Sequence, residues 1–323
     1  MSITNIELIL LLSFFISLLC TFLTIPWLIP RLINKGITGI DMNKLEKPAL
    51  PEMGGISIIL GFFIGVYSQI ILSQVLFQET FYSEYLLASL IVLSGVSILG
   101  VIDDLVSVSQ RIKAFLPFFF SLHLGIYVNE VMYFPLVGEV NFGIFMIFLV
   151  PFAITCATNS VNMLEGFNGL SCSMSLIITI TLIIICLKTE EYQGILFLGP
   201  LCGSLLAFLW FNYYPAKIFP GDSMTLFVGA TIACASIVSN LKLEGAILFL
   251  PFIIEFFLKL RGNFKAQCFA TKIEKGILYY DGKIESLTHF FMINYNLQEY
   301  QLVNCFIIFE LALAGIVLTF TFI

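Results

Sequence analysis

About ten separate stretches of this chain are apolar over roughly 17 residues or more, and no soluble fold buries that pattern. They run approximately over 8–30, 54–76, 86–102, 114–130, 142–158, 170–187, 195–211, 223–240, 243–258 and 302–323. Inside a bilayer every backbone N–H and C=O must be satisfied within the segment, and a helix of ~20 mostly apolar residues does this. The expectation is therefore an all-α polytopic membrane protein of about ten transmembrane helices, with small β-hairpins at the cytoplasmic and outer faces. Only 11% of residues are charged, where a soluble domain carries roughly 25%. Lys and Arg number 15 against 21 Asp and Glu, with no basic stripe, so a nucleic-acid binder is excluded. The first stretch lacks a basic leader and a small-residue cleavage site and reads as a membrane helix rather than a removed signal. The eight Cys are scattered without metal-ligand or redox spacing and read as small packing residues. No repeat or low-complexity segment divides the chain, so residues 1–323 read as one integral membrane domain.

Charge sorts the loops. Arg31, Lys35, Lys44 and Lys47 lie in the first, Arg111 and Lys113 in the third, and Lys217 in the seventh. Lys259, Arg261, Lys265, Lys272, Lys275 and Lys283 lie in the ninth, while even-numbered loops hold only Lys188 and Lys242. This asymmetry places the odd loops in the cytoplasm and both termini outside. All five Asp (41, 103, 104, 222 and 281) fall on that side, whereas the outer loops carry Glu79, Glu84, Glu130, Glu139, Glu190, Glu191 and Glu244 but no Asp. The chemistry is expected at the cytoplasmic loops 31–53, 103–113, 158–170, 212–222 and 259–301. The longest, 259–301, contains a hairpin-like run over 271–283 and a mixed stretch, 284–299, read as an interfacial helix. A second short hairpin is expected at the outer face around Met132–Phe142.

Four motifs stand at helix ends. Asp41-Met-Asn-Lys44 and Pro51-Glu-Met-Gly54 precede the second helix, where Gly54-Gly55 permits close backbone approach. Asp103-Asp104 ends the third helix. Adjacent carboxylates at a membrane boundary repel and are costly to desolvate, and they persist where a cation or proton uses them. Arg111 and Lys113 follow, adding phosphate-binding cations. Asn159-Ser-Val-Asn162, then Glu165 and Asn168-Gly169, break a hydrophobic run, and side-chain carbonyls there suit a hard cation or a base edge. Phe219-Pro-Gly-Asp222 opens the eighth helix, where an Asp also serves as an ordinary cap. His123 reads as a packing residue, and with two His in all a His-rich metal site is excluded.

Taken in order, these motifs resemble the polyprenyl-phosphate N-acetylhexosamine-1-phosphate transferases, ten-helix membrane enzymes, over nearly the whole chain. The Asn212-Tyr-Tyr-Pro215 and Phe219-Pro-Gly-Asp222 strings are most similar to the dolichyl-phosphate GlcNAc-1-phosphate transferases of eukaryotes and archaea. The ninth loop departs from the family. It has neither the bacterial His-rich motif nor the eukaryotic Pro-Arg-His-Arg string, and carries Arg261-Gly-Asn-Phe-Lys265 instead.

The resemblance implies transfer of GlcNAc-1-phosphate from UDP-GlcNAc to a polyprenyl (dolichyl-type) phosphate, releasing UMP. This is the first membrane step of lipid-linked oligosaccharide synthesis for N-glycosylation. It implies Mg²⁺, with Mn²⁺ as a substitute, held by Asn162 and Asp222, and Asp103, Asp104, Lys113 and Asp222 as the catalytic set. Asp41, Lys44, Glu52, Asn159, Asn168 and Phe219 would contact the donor, with Arg261 and then His289 as the candidates for its pyrophosphate or sugar. The active site would face the cytoplasm, of the cell membrane in an archaeon or of the endoplasmic reticulum in a eukaryote, and a homodimer is compatible with it. The competing readings are a transporter using boundary carboxylates and a related transferase using another UDP-N-acetyl sugar. A lipid phosphotransferase of another kind would need an Asp-Gly-x₂-Ala-Arg signature that this chain lacks.

Overall fold

The computed structural model describes residues 3–78, 83–128, 131–134 and 137–322. Glu79 and Glu130 lie outside the described residues. Within them the chain is twelve α-helices, one short 3-10 helix (Gly143–Phe145) and three two-stranded antiparallel sheets. The helices are α1 (Ile3–Lys35), α2 (Gly55–Phe77), α3 (Glu84–Val106), α4 (Gln110–Tyr127), α5 (Met146–Leu164) and α6 (Leu170–Thr189). They continue as α7 (Tyr192–Asn212), α8 (Gly221–Val238), α9 (Lys242–Leu248), α10 (Leu250–Arg261), α11 (Leu287–Asn294) and α12 (Glu299–Phe322).

Eight of these are long and apolar enough to cross a membrane: α1, α2, α3, α5, α6, α7, α8 and α12. Two of the ten expected stretches are not among these eight and fold with other bounds. The stretch 114–130 folds as α4, which begins earlier with the polar Gln110, Arg111 and Lys113 and carries Pro117 inside it. The stretch 243–258 is broken at Phe249 into α9 and α10, with Pro251 in the first turn of α10. Proline fits a helix's first turn because no N–H is required there.

α8 is the hub. It packs against α3, α5, α7 and α2, and its side chains from Ser223 to Val238 are buried. Small residues permit this, because lipid supplies no hydrophobic drive and helices associate by close packing and hydrogen bonds. Several buried polar side chains bond within helices or across them. Ser17 donates to the Pro200 carbonyl at 2.9 Å, Thr21 to the Ser57 carbonyl at 3.2 Å, and Gln69 to Ser13 at 2.8 Å.

The sheets sit at helix ends. Strands β1 (Thr38–Ile40) and β2 (Ala49–Pro51) pair with Thr38 opposite Pro51, a hairpin not expected from the first loop. β3 (Val131–Phe134) and β4 (Gly138–Asn141) form the second hairpin, and β5 (Lys272–Glu274) and β6 (Ile277–Tyr279) the third, turning at Lys275-Gly276. α11 is the interfacial helix expected within 284–299, shortened to Leu287–Asn294 and capped by the Ser286 hydroxyl.

Candidate functional site

A pocket of about 410 Å³ opens where the first, third, fifth, seventh and ninth loops converge. Asp41, Glu52, Asp103, Asp104, Asn162, Phe219 and Asp222 line it, with Glu165, Gly166 and Phe269. The two ends of the first hairpin deliver Asp41 and Glu52. Asp41 N–H donates to the Pro48 carbonyl at 2.9 Å and Glu52 N–H to the Ile37 carbonyl at 3.2 Å.

Asp104 and Asp222 are joined by helix geometry. A helix's first N–H groups lack internal acceptors. Here the Asp104 carboxylate of α3 caps α8, accepting from Asp222 N–H at 2.6 Å and Ser223 N–H at 3.0 Å. The negative charge also complements the positive end of the α8 dipole. Gly221 adopts φ +70°, and a Cβ there would stand 2.6 Å from an Asp104 oxygen. The second helix docks on the same point. Gly54 and Gly55 N–H donate to the Phe219 and Pro220 carbonyls at 2.9 and 2.8 Å.

Lys113 bridges the two acidic centres. Its Nζ lies 2.7 Å from Asp103 Oδ2 and 2.7 Å from Asp222 Oδ2. Asp103 uses its other oxygen to accept Val108 N–H at 2.6 Å, closing the turn after α3. Beside them Asn162 Oδ1 accepts from the Thr225 hydroxyl at 3.1 Å. Among the described residues no cluster of three or more His, Cys, Asp or Glu forms a ready metal cage. The donor set is nevertheless hard oxygen, one amide carbonyl and one carboxylate on a shared pocket wall, which fits a Mg²⁺ that takes its remaining ligands from phosphate and water.

Burial raises the Glu52 carboxyl above its ordinary range, with the Asp104 charge adding to it. Glu165 is pushed up to about 7, chiefly by burial and further by the Glu299 charge, while its bond to the Ser171 hydroxyl opposes the shift.

The other expected site residues fall into two groups. Lys44 and Asn168 touch a lining residue directly. Lys44 Nζ is 3.3 Å from Asp41 Oδ2, and Asn168 Nδ2 donates to the same oxygen at 3.2 Å. Asn159, Arg261 and His289 are not brought to the wall. Asn159 ties α5 to α4 through the Ala114 carbonyl at 3.3 Å. Arg261 is exposed and donates to the Ile284 carbonyl. His289 is fully buried, with Nδ1 accepting Glu285 N–H at 3.2 Å and Nε2 2.7 Å from the Gln267 carbonyl. Its ring stacks on Tyr280 at 3.6 Å. Burial holds its pKa below the usual value, which suits the neutral tautomer with Nε2–H donating.

His289 instead braces a strap that sequence reasoning missed. Three consecutive carbonyls are held from behind: Ala266 by Lys259 at 2.6 Å, Gln267 by His289, and Cys268 by the Thr288 hydroxyl at 2.9 Å. The strap sets Phe269 into the pocket against Gly166. Burial pushes the Cys268 thiol up to about 11, so it is a packing group.

The model of glycosyl transferase family 4 matches residues 86–240. A protein of Saccharolobus solfataricus described as a UDP-N-acetylglucosamine–dolichyl-phosphate N-acetylglucosaminephosphotransferase is 41% identical over 308 residues, covering 94% of this chain and 92% of that protein. The chain belongs to glycosyl transferase family 4. A second relative of the same description, from Sulfolobus acidocaldarius, is 38% identical over 91% of this chain and 90% of its own. The phospho-N-acetylmuramoyl-pentapeptide-transferase of Borreliella burgdorferi is 31% identical over 65% of the chain and 66% of its own length. The segment matching glycosyl transferase family 4 contains Asp103, Asp104, Lys113, Asn162 and Asp222, whereas Asp41, Glu52 and the Phe269 strap lie outside it.

Proposed function

We propose that this family 4 glycosyl transferase moves GlcNAc-1-phosphate from UDP-GlcNAc to a dolichyl-type polyprenyl phosphate, releasing UMP. The observation that supports it best is the Lys113 bridge between Asp103 and Asp222 in a pocket at the helix ends, in a chain 41% identical over most of its length to a protein of that description. An acceptor phosphate oxygen attacks the sugar-bearing phosphorus. The bond from that phosphorus to the bridging oxygen breaks, UMP departs with that oxygen, and a new pyrophosphate link forms. A phosphomonoester's second pKa is about 6, so at neutral pH the nucleophile is already ionised and no strong base is needed. Asp103 then orients Lys113, Asp104 holds Asp222 through the α8 cap, and Lys113 stabilises charge on the phosphoryl oxygens.

The pocket is lined by carboxylates while the donor is itself an anion, so charge must be neutralised for the donor to seat. Mg²⁺ at Asn162 and Asp222, or Mn²⁺ in its place, would supply that neutralisation and polarise the phosphoryl oxygens. Asp41, Lys44, Glu52, Asn168 and Phe219 form the donor side, and Asn159 acts from behind by tying α5 to α4. His289 serves the pyrophosphate or sugar through the 266–269 strap, and Arg261 from the same ninth loop, where it holds the Ile284 carbonyl. The pocket faces the cytoplasm, α4 and α9–α10 complete ten crossings, both termini lie outside, and the whole chain is one catalytic domain.

The test is release of labelled UMP from UDP-GlcNAc by membranes carrying the protein, given polyprenyl phosphate and Mg²⁺. Asp222→Ala is expected to abolish release, and Glu244→Ala, far from the pocket, to preserve it. No release across several UDP-N-acetyl sugars overturns the enzyme reading. Release with a different sugar alone corrects the donor.

A further inference from the structure

Glu299 opens α12, is 3% exposed, and belongs to none of the motifs above. Its carboxylate joins two segments distant in sequence. One oxygen accepts the Asn168 main-chain N–H at 2.9 Å, and the other pairs with Lys44. Asn168 Nδ2 and Lys44 Nζ both reach Asp41 Oδ2, at 3.2 and 3.3 Å. The four residues thus close a ring, through the Asn168 main chain at one link, from α12 through the first loop to the turn before α6. Of the four, Asp41 is the one that lines the pocket.

The ring holds a segment that cannot hold itself. β1 and β2 are three residues each, and a hairpin of that size is marginal alone. Further ties run the same way. Asn43 donates to the Gly166 carbonyl at 2.7 Å and accepts Ala270 N–H at 3.2 Å. Lys44 Nζ lies 4.4 Å over the Tyr214 ring, and Tyr213 donates to Asn304 of α12 at 2.9 Å. Lys44 is the cation of a ring containing two carboxylates, so loss of Glu299 changes both the charge at Asp41 and the position of Asn168. No bond runs from the ring to Lys113, whose partners are Asp103 and Asp222.

We propose that Glu299 is a positioning residue for the nucleotide-sugar donor, acting through Lys44 and Asn168 to fix Asp41 on the pocket wall. It rests on the reading that this pocket takes UDP-GlcNAc. A group acting on donor seating alone raises donor KM and leaves turnover at saturation.

Initial rates are measured for purified wild type, Glu299→Gln, Glu299→Ala and a control, Glu274→Gln in the exposed third hairpin, with donor and acceptor varied separately. A hydrogen bond to a charged group is worth enough for a change of about tenfold or more. Donor KM is expected to rise by about that factor in Glu299→Ala and by less in Glu299→Gln, which still accepts Asn168 N–H. Acceptor KM and kcat are expected to stay within about twofold, and the control to match wild type. A fall in kcat with donor KM unchanged, or a joint rise of both KM values, overturns the proposal. If Glu299→Ala does not fold, Glu299→Gln carries the comparison. Calorimetric titration with UDP separates this from the reaction itself. If wild type binds UDP but releases no UMP, the transferase reading fails while the ranking of UDP affinities still decides Glu299. Equal affinities, or no UDP binding by wild type, overturn it.

Discussion

At the scale of single residues, the site is built from carboxylates given different work by their surroundings. Asp104 spends both oxygens on the α8 N-terminus, and Asp103 divides its two between a turn and Lys113. Adjacent in sequence, they point to different partners, which relieves the repulsion their adjacency implies. Glu165 has no cation beside it and is bonded by the hydroxyl and main-chain N–H of Ser171. Its carboxyl is raised from 4.5 to about 7 by burial. Between those values the folded protein holds a proton that the unfolded chain has released, so stability falls as pH rises through that window and is level above it. Glu165→Gln removes the ionisation. The difference in apparent Tm, variant minus wild type, is expected to grow from pH 4.5 to pH 7 and then flatten. Thermal unfolding in detergent across that range measures it, and a difference that is flat or shrinks through the window refutes the assignment.

At the scale of elements, the decisive contact is the meeting of the N-terminal ends of α2 and α8 with the C-terminal end of α3. It depends on glycine where backbones touch. A Cβ at Gly55 would stand 2.1 Å from Met224 N, a backbone atom that cannot swing aside. Gly55→Ala is expected to push α2 off α8, break the Gly55–Pro220 bond, and lower activity by more than tenfold, since even a 1 Å misplacement costs about 10²-fold. Activity unchanged from wild type would show that the ends tolerate separation. The sequence made this junction legible, because Gly54-Gly55, Asp103-Asp104 and Phe219-Pro-Gly-Asp222 are local strings whose chemistry is visible by themselves. It did not show Glu299 or Phe269, nor what Asn43 inside the Asp41–Lys44 string holds. Glu299 meets Asn168 and Lys44 from 131 and 255 residues away, and no local spacing marks such a pairing. The Phe269 strap was hidden for a different reason: its supports are main-chain carbonyls, which every residue carries. Arg261 and His289 drew attention as pyrophosphate or sugar candidates in a loop that lacked the family string, yet their hydrogen bonds go to the ninth loop's own backbone. The first hairpin was missed because its strands are too short to show alternation.

At the scale of the whole molecule, the pocket exists because alternate helix ends return to one side. α3 and α5 both finish at the pocket and α4 lies between them in sequence, so α4 must carry the chain away from it. In the same way α8 leaves the pocket at Asp222, and α10 brings the chain back to Lys259, which holds the Ala266 carbonyl of the strap. Eight helices meet the length and apolarity of a span, yet eight crossings alone would leave these ends on opposite sides. This geometry agrees with the loop charges, in which Lys and Arg concentrate at the pocket end. The consequence can be tested with two single cysteines. Thr189→Cys sits at the exposed end of α6, and Lys283→Cys is exposed in the ninth loop, with α7, α8 and α9–α10 between them. On the proposed topology, three crossings put them on opposite faces. A membrane-impermeant maleimide applied to sealed right-side-out vesicles is expected to label Thr189→Cys directly and Lys283→Cys only after permeabilisation, above the background of the native cysteines. The reverse pattern inverts the protein and moves the pocket outside. Labelling of both from one face means that the broken pair α9–α10 turns back without crossing.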